Sequence, residues 1–153
     1  MSNPDSASAL PLMSCGSTTF EWGLRTYIMG IVNVTPDSFS GDGILDPQLA
    51  IARGLAMVEA GADILDVGGE STRPGADPLD VDDELARVIP VVQGLVAATS
   101  TPISVDTSRS PVAEAALEAG AHIINDVWGF QRDPHLAGVV ARHQAWAVAM
   151  HNQ

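Results

Sequence analysis

The chain is short of basic residues and of cysteine. Its 153 residues carry 7 Lys and Arg against 19 Asp and Glu, for a formal net charge of −12. A protein so acidic has no electrostatic reason to hold nucleic acid or an anionic membrane. The same deficit means that any phosphate on a ligand has to be held by local cations or backbone N–H groups. A single cysteine, Cys15, excludes an internal disulfide and a cysteine-built zinc site. The four histidines, His122, His135, His143 and His151, lack metal-ligand spacing and are read as non-ligands. No run of 18 apolar residues occurs, which excludes a membrane-spanning helix. Residues 1–17 have neither the basic nor the long apolar region of a secretory signal. No G-x-G-x-x-G follows the first strand-like run, which argues against dinucleotide binding. These absences leave a soluble, cytoplasmic protein as the expectation.

What is present is ordinary for a globular domain: 46% hydrophobic and 17% charged residues, in a chain long enough for one core. Residues 1–19, rich in Ser, Ala, Pro and Thr, are read as a mobile tail, and 20–153 as the folded domain. Five short apolar runs read as buried strands: Tyr27–Asn33, Asp63–Gly68, Pro102–Asp106, His122–Val127 and Trp146–Met150. Helical patterns lie between them. The first spans about Pro47–Ala60, with Asp46 as N-cap, Pro47 at the first turn and Gly61 at the close. The second spans about Val81–Ala98 and contains Pro90, so a kink or two helical pieces are expected. The third and fourth open at Ser110-Pro111 and Asp133-Pro134. Strands alternating with helices predict right-handed βαβ units and a parallel sheet; the pattern alone does not separate an open sheet from part of a barrel.

In such folds ligands bind at the C-terminal ends of the strands. Here every predicted strand ends in polar residues: Asn33 to Ser40, Gly68 to Gly75, Asp106 to Arg109, Asn125-Asp126 and His151-Asn152. Each of these residue types also builds turns and caps, but five such ends on one face are a stronger signal than any one. Asp106 either caps the turn towards Ser110 or turns a carboxylate to a heterocycle. Asn125 can donate and accept at once, which suits a ring edge carrying N–H and C=O groups. Asp66 falls in mid-strand, where a carboxylate is costly unless paired; the floor of a site and a structural hydrogen-bond hub are both open readings. Arg73 is the cation of the glycine-rich second loop.

These residues carry a resemblance. Met29-Gly-Ile-Val-Asn-Val-Thr-Pro-Asp-Ser-Phe-Ser40 resembles the first signature of the dihydropteroate synthases, and Asp66-Val-Gly-Gly-Glu-Ser-Thr-Arg-Pro-Gly-Ala76 resembles the second. Ile103–Thr107, Gly120–Asp126 and Met150-His151 match the family's next three strands, so the similarity runs from about residue 20 to the C-terminus. The resemblance implies the N-terminal part of a (β/α)8 TIM barrel, about five parallel strands and four helices with the barrel incomplete. It implies a transferase of folate biosynthesis and a sulfonamide target. The reaction condenses 6-hydroxymethyl-7,8-dihydropterin pyrophosphate with p-aminobenzoate to 7,8-dihydropteroate, with Mg²⁺ as cofactor. The pyrophosphate leaves first, and the amine of p-aminobenzoate attacks the pterin methylene cation. By this resemblance Asp106 and Asn125 grip the pterin, Arg73 completes the catalytic set, and Asn33 helps to bind Mg²⁺ and pyrophosphate. Loops 34–43 and 69–76 close over the site, where Asp37, Ser38, Phe39, Thr72, Arg73 and Pro74 meet substrate.

Two departures from the family pattern stand out. Ser40-Gly-Asp-Gly43 replaces the usual Ser-Asp-Gly-Gly. The chain also stops at Gln153, whereas a complete barrel takes about 250 residues. The family's later strands supply a second pterin carboxylate, a lysine and most of the pyrophosphate cations. The expectation is therefore a fragment, weakly active or inactive alone, with open sheet edges that favour a homodimer or other self-association. A non-catalytic pterin-binding half barrel and a methyltetrahydrofolate-dependent methyltransferase-type domain are the alternatives.

Overall fold

The structure, a computed structural model, describes residues 12–35, 46–70 and 79–151. Its elements run β1 (Leu12–Cys15), β2 (Thr18–Glu21), β3 (Met29–Asn33), α1 (Pro47–Glu59), β4 (Ile64–Gly68), α2 (Val81–Ala98), β5 (Ile103–Asp106), α3 (Ser110–Glu118), β6 (Ile123–Asp126), α4 (Leu136–Arg142) and β7 (Trp146–Ala149). β3 to β7 form one parallel sheet in sequence order, and β1 pairs with β2 in an antiparallel hairpin. The five parallel strands and four helices match the expected set, with strand ends within two residues.

One face of the sheet is covered by helices. Val32, Leu65, Val67, Ile103, Val105 and Ile124 point to that side and are buried against Val88, Val91, Val92 and Leu95 of α2 and Ala113, Ala116 and Leu117 of α3. α1 and α2 approach closely because they meet at glycines: a methyl group at Gly54 would lie 2.9 Å from Leu95 Cδ2. α2 runs unbroken through Pro90, so the two-piece alternative does not form. A proline inside a helix costs about 3 kcal/mol, and the four fully buried apolar side chains of α2 offset that.

The helix starts show how capping is shared. Asp46 caps α1 as expected, accepting from Gln48 N at 2.8 Å. α3 differs: its N-cap is Arg109, which makes no side-chain cap. Asp133 does the work instead, with Oδ2 accepting from Ser110 N at 2.7 Å and Oδ1 from His135 N at 2.9 Å. One carboxylate thus serves the starts of two helices, and α4 begins at Leu136, two residues after the expected proline.

The other face of the sheet is stacked in layers by strand alternation. At the bottom of this face Met29, Ile64 and Ile123 pack together, closed from beneath by the hairpin through Cys15, Phe20 and Met13. Trp146 Nε1 donates to Ser14 O at 2.7 Å and fastens the hairpin to β7. This corrects one expectation. Residues 12–19 are not a mobile tail, because Phe20 and Cys15 have an apolar layer to bury against; residues 1–11 lie outside the described residues. Cys15 is buried, and burial pushes its thiol up to about 11. On the same face Ile31, Trp146 and Val148 stay 46%, 43% and 40% exposed, on the two outermost strands. The α/β fold is thus a parallel sheet packed by helices on one face and by the hairpin at the bottom of the other, with that other face uncovered at both edges, the arrangement expected of an incomplete barrel. No helix among the described residues is long and apolar enough to cross a membrane.

Candidate active site

The polar strand ends meet in one row. Asn33, Gly68, Asp106 and Asn125 are consecutive partners across β3, β4, β5 and β6. They share the inner face at the C-terminal mouth, and the three side chains are half-buried. Gly68 leaves a gap within the row. A methyl group there would lie 3.6 Å from Asp106 Cβ and 3.9 Å from its Oδ2, so the missing side chain leaves room for a ligand against the carboxylate. Asp37, Ser38, Phe39, Thr72, Arg73 and Pro74 lie outside the described residues, as do most of the two glycine-rich loops.

One layer beneath this row sit Asp66 and Ser104, opposite each other in the β4–β5 register and 4% and 0% exposed. Asp66 Oδ2 accepts from Asn125 Nδ2 at 3.2 Å. Among the described residues, the buried side-chain atoms left without a hydrogen-bond partner are Asp66 Oδ1, Ser104 Oγ and Asn125 Oδ1. An orphaned buried polar atom costs about 1–3 kcal/mol, and three of them sit together under the mouth. Such a cluster is expected where a ligand completes the bonding. Asp66 is thus bonded to Asn125 and lies beneath the row opposite Ser104, which leaves both readings of it open.

The charges around Asp106 explain its behaviour. Burial, then the negative neighbours Asp66, Asp126, Glu84 and Glu70, push its carboxyl up to about 7. Burial also raises Asp66, against the pull of Ser104 and the Asn125 amide. Asp106 does not cap the turn that follows it; Thr107 Oγ1 accepts from Arg109 N at 3.2 Å instead. The carboxylate is therefore kept for the open side. Asp126 points the opposite way, and its oxygens accept from Trp128 N at 3.0 Å and Phe130 N at 2.7 Å, so it is a turn former rather than a site residue.

A second network lies behind the mouth and was missed from the sequence. Glu84 of α2 is 1% exposed; Oε1 accepts from Thr107 Oγ1 at 2.7 Å and Oε2 from Arg109 Nη1 at 2.5 Å. Arg109 Nη2 also donates to Leu79 O at 2.6 Å and lies 3.2 Å from Glu70 Oε2. One guanidinium thus holds residues 70 and 79, the two described ends of the connection from β4 to α2. Nothing in the acidic run Asp82-Asp83-Glu84 distinguishes the buried member from the exposed ones except its place on the inward face of the helix.

Among the described residues no group of three or more His, Cys, Asp or Glu is placed to hold a metal ion. Asn33, the partner of Gly68 across β3 and β4, offers an amide oxygen at the end of the row. Mg²⁺ commonly takes few protein oxygens and completes its shell with water and ligand phosphate. The residues present therefore fit a Mg²⁺ that arrives with a phosphorylated ligand, and not a caged resident ion.

A parallel α/β barrel segment with a polar ligand row at its strand ends defines the class of protein: an enzyme-type barrel site. The chain belongs to the pterin binding enzyme family, whose model matches residues 29–153. It is 46% identical over 142 residues to a dihydropteroate synthase of Clostridium beijerinckii, covering 92% of this chain and 53% of that protein. A solved dihydropteroate synthase from Clostridium difficile, crystallised with pteroic acid, is 51% identical with a TM-score of 0.80, covering 88% of this chain and 51% of that one. The Xanthomonas albilineans enzyme with 4-aminobenzoic acid is 45% identical with a TM-score of 0.83, covering 94% and 53%. The chain spans about half the length of the relatives it matches.

Proposed function

We propose that this chain is the pterin-binding portion of a cytoplasmic dihydropteroate synthase. The observation that carries the reading is the row Asn33–Gly68–Asp106–Asn125 over the orphaned atoms of Asp66, Ser104 and Asn125. A pterin edge offers ring N–H, amino and carbonyl groups within a few ångströms of each other. Asn125 matches such an edge with one donor and one acceptor group, and Asp106 takes an N–H or stabilises positive charge on the ring. An Asp106 carboxyl near 7 ionises readily once a cationic or N–H-rich ligand lies against it.

In this reading the pterin pyrophosphate binds at the mouth and p-aminobenzoate approaches over residues 34–43 and 69–76. Phe39, Thr72, Arg73 and Pro74 shape the p-aminobenzoate side, Arg73 is the catalytic cation, and Asp37 and Ser38 contact substrate. Asn33 would hold Mg²⁺ on the pyrophosphate, where the ion would neutralise the leaving group. The polar row holds and orients the pterin, and the Asp106 carboxylate favours positive charge at the reacting carbon. Turnover by this chain alone is weak. Its cations are few, and Arg25, Arg109 and Arg142 are each engaged by a carboxylate, Asp63, Glu84 and Glu114. The uncovered inner face, with Ile31, Trp146 and Val148, drives self-association of the isolated chain.

Titration with 6-hydroxymethyl-7,8-dihydropterin pyrophosphate and Mg²⁺, then with p-aminobenzoate, tests this reading. Calorimetry is expected to show the pterin bound first and p-aminobenzoate bound only with it, and Asp106→Asn to abolish both. Absence of pterin binding, or binding that ignores the substitution, refutes the assignment.

A further inference from the structure

Asp66 lies one layer beneath the row at the mouth and is bonded to a member of that row, Asn125. We infer that Asp66 is a positioning residue which fixes the orientation of the Asn125 side-chain amide, and so decides which edge of a heterocycle Asn125 reads. The inference rests on the pterin reading for the identity of the heterocycle and on geometry alone for the positioning.

The argument follows from donor and acceptor types. Asp66 is 4% exposed in the middle of β4, with Oδ2 3.2 Å from Asn125 Nδ2. An ionised carboxylate accepts and never donates. The amide nitrogen of Asn125 therefore has to face down towards Asp66, and Oδ1 has to face away. Turning the amide over would set two acceptors against each other in a buried place, at the cost of a lost charge-assisted bond. Asn125 Oδ1 is left buried and without a partner, as the geometry requires if it awaits a donor from a ligand. Ser104 stands opposite Asp66, close enough to lower its carboxyl, but its hydroxyl satisfies neither orphaned oxygen. Asn125 itself lies next to Asp106 in the register, so the two reading groups are set side by side as a donor-seeking pair. The chemistry this selects is a ring edge rich in N–H groups: a 2-amino heterocycle is accepted and its 2-oxo counterpart is turned away.

Two readouts on the full chain test this. The first needs no ligand: in ¹⁵N spectra the two Asn125 Nδ2 protons of the wild-type protein are expected to be well separated, one of them protected from exchange, and Asp66→Ala is expected to merge them and remove the protection. The second is selectivity, with 6-hydroxymethylpterin and 6-hydroxymethyllumazine as probes, which differ by an amino group in place of a carbonyl. Wild type is expected to prefer the pterin by about tenfold or more, the value of one misplaced buried hydrogen bond to a charged or polar site. Asp66→Ala is expected to shrink that ratio towards one, and Asp66→Asn, which still offers an acceptor, to keep most of it. A merely structural Asp66 would lower stability and leave the ratio unchanged. If wild type binds neither probe while the Asn125 protons are split and Asp66→Ala collapses them, the positioning stands and the pterin reading falls. If wild type prefers pterin and Asp66→Ala keeps both the preference and the protected proton, the positioning is overturned and the pterin reading stands. Should Asp66→Ala fail to fold, the wild-type spectrum decides: an unsplit, fast-exchanging Asn125 pair overturns the inference, and a protected proton supports it.

Discussion

Replacing Asp106 by Asn should make the protein more stable, and only above mildly acidic pH. The folded protein holds this carboxyl at about 7 rather than the ordinary 3.8, chiefly through burial and secondly through Asp66, Asp126, Glu84 and Glu70. A group whose folded pKa is raised keeps its proton in the folded state after the unfolded chain has lost it, so stability falls as pH climbs from 3.8 towards 7 and is level beyond. At 1.36 kcal/mol for each pH unit between those values, ionised Asp106 costs the fold about 4 kcal/mol. Asn occupies nearly the same volume and does not titrate. The substituted and native chains should therefore unfold alike near pH 4 and diverge steadily, with Asp106→Asn ahead by about 2–4 kcal/mol at pH 8 once relaxation around the charge is allowed for. Asp66 and Glu84 are present in both chains, so their own raised pKa values largely cancel. Urea unfolding followed by circular dichroism at pH 4, 5, 6, 7 and 8 measures the divergence, and the ¹³C shift of the Asp106 carboxyl gives the midpoint directly. Parallel stability profiles, or a substituted chain that is weaker at pH 8, would refute the electrostatic account. Stability gained where pterin binding is lost would mark Asp106 as a residue kept for its ligand at a cost to the fold.

Glu84→Ala removes a buried partner of Arg109 and Thr107, and should destabilise by about 3 kcal/mol in the same urea assay; an unchanged midpoint would show the network to be energetically idle. Asp46→Ala removes one helix cap and should cost about 1 kcal/mol. Asp133→Ala removes the bonds to both Ser110 N and His135 N and should cost about 2 kcal/mol, so equal losses at the two positions would contradict the shared cap.

The fold was legible because its signals are local. Alternating apolar runs and capped helical patterns depend on neighbours within a few residues, and Asp46-Pro47 or Gly61 announce a helix boundary without tertiary help. The row at the mouth was legible for a related reason: a parallel sheet brings the ends of successive strands together, so Asn33, Asp106 and Asn125 could be placed on one face from order alone. What escaped was made by distant partners. Ser110 looked like its own cap, yet the oxygen comes from Asp133, 23 residues on. The segment around Cys15 looked like tail because two four-residue strands carry little pattern; only the layer formed by Ile64 and Ile123 gives Phe20 somewhere to go. The Glu84–Arg109 pair escaped for the same reason, since burial of an ion pair depends on which face of α2 meets β5.

The acidic balance that first looked awkward for a phosphate-bearing substrate fits the layout of the described site. Around Asp106 stand Asp66, Asp126, Glu84 and Glu70, and among the described residues Arg109 is the cation bonded within that group, its charge spent on Glu84 and Glu70. A region so arranged repels a bare pyrophosphate and favours positive charge in whatever lies at the mouth. Under the proposed reaction those are the demands of one half of the chemistry, the pterin methylene cation, and not of the other, the departing anion. The anion then has to be met by Mg²⁺ at Asn33, by Arg73, or by cations that these residues do not include. Negative charge concentrated at the strand ends of this chain is thus what the proposed reaction requires of a site for the electrophile, and on that proposal the chain is expected to bind pterin better than it turns it over.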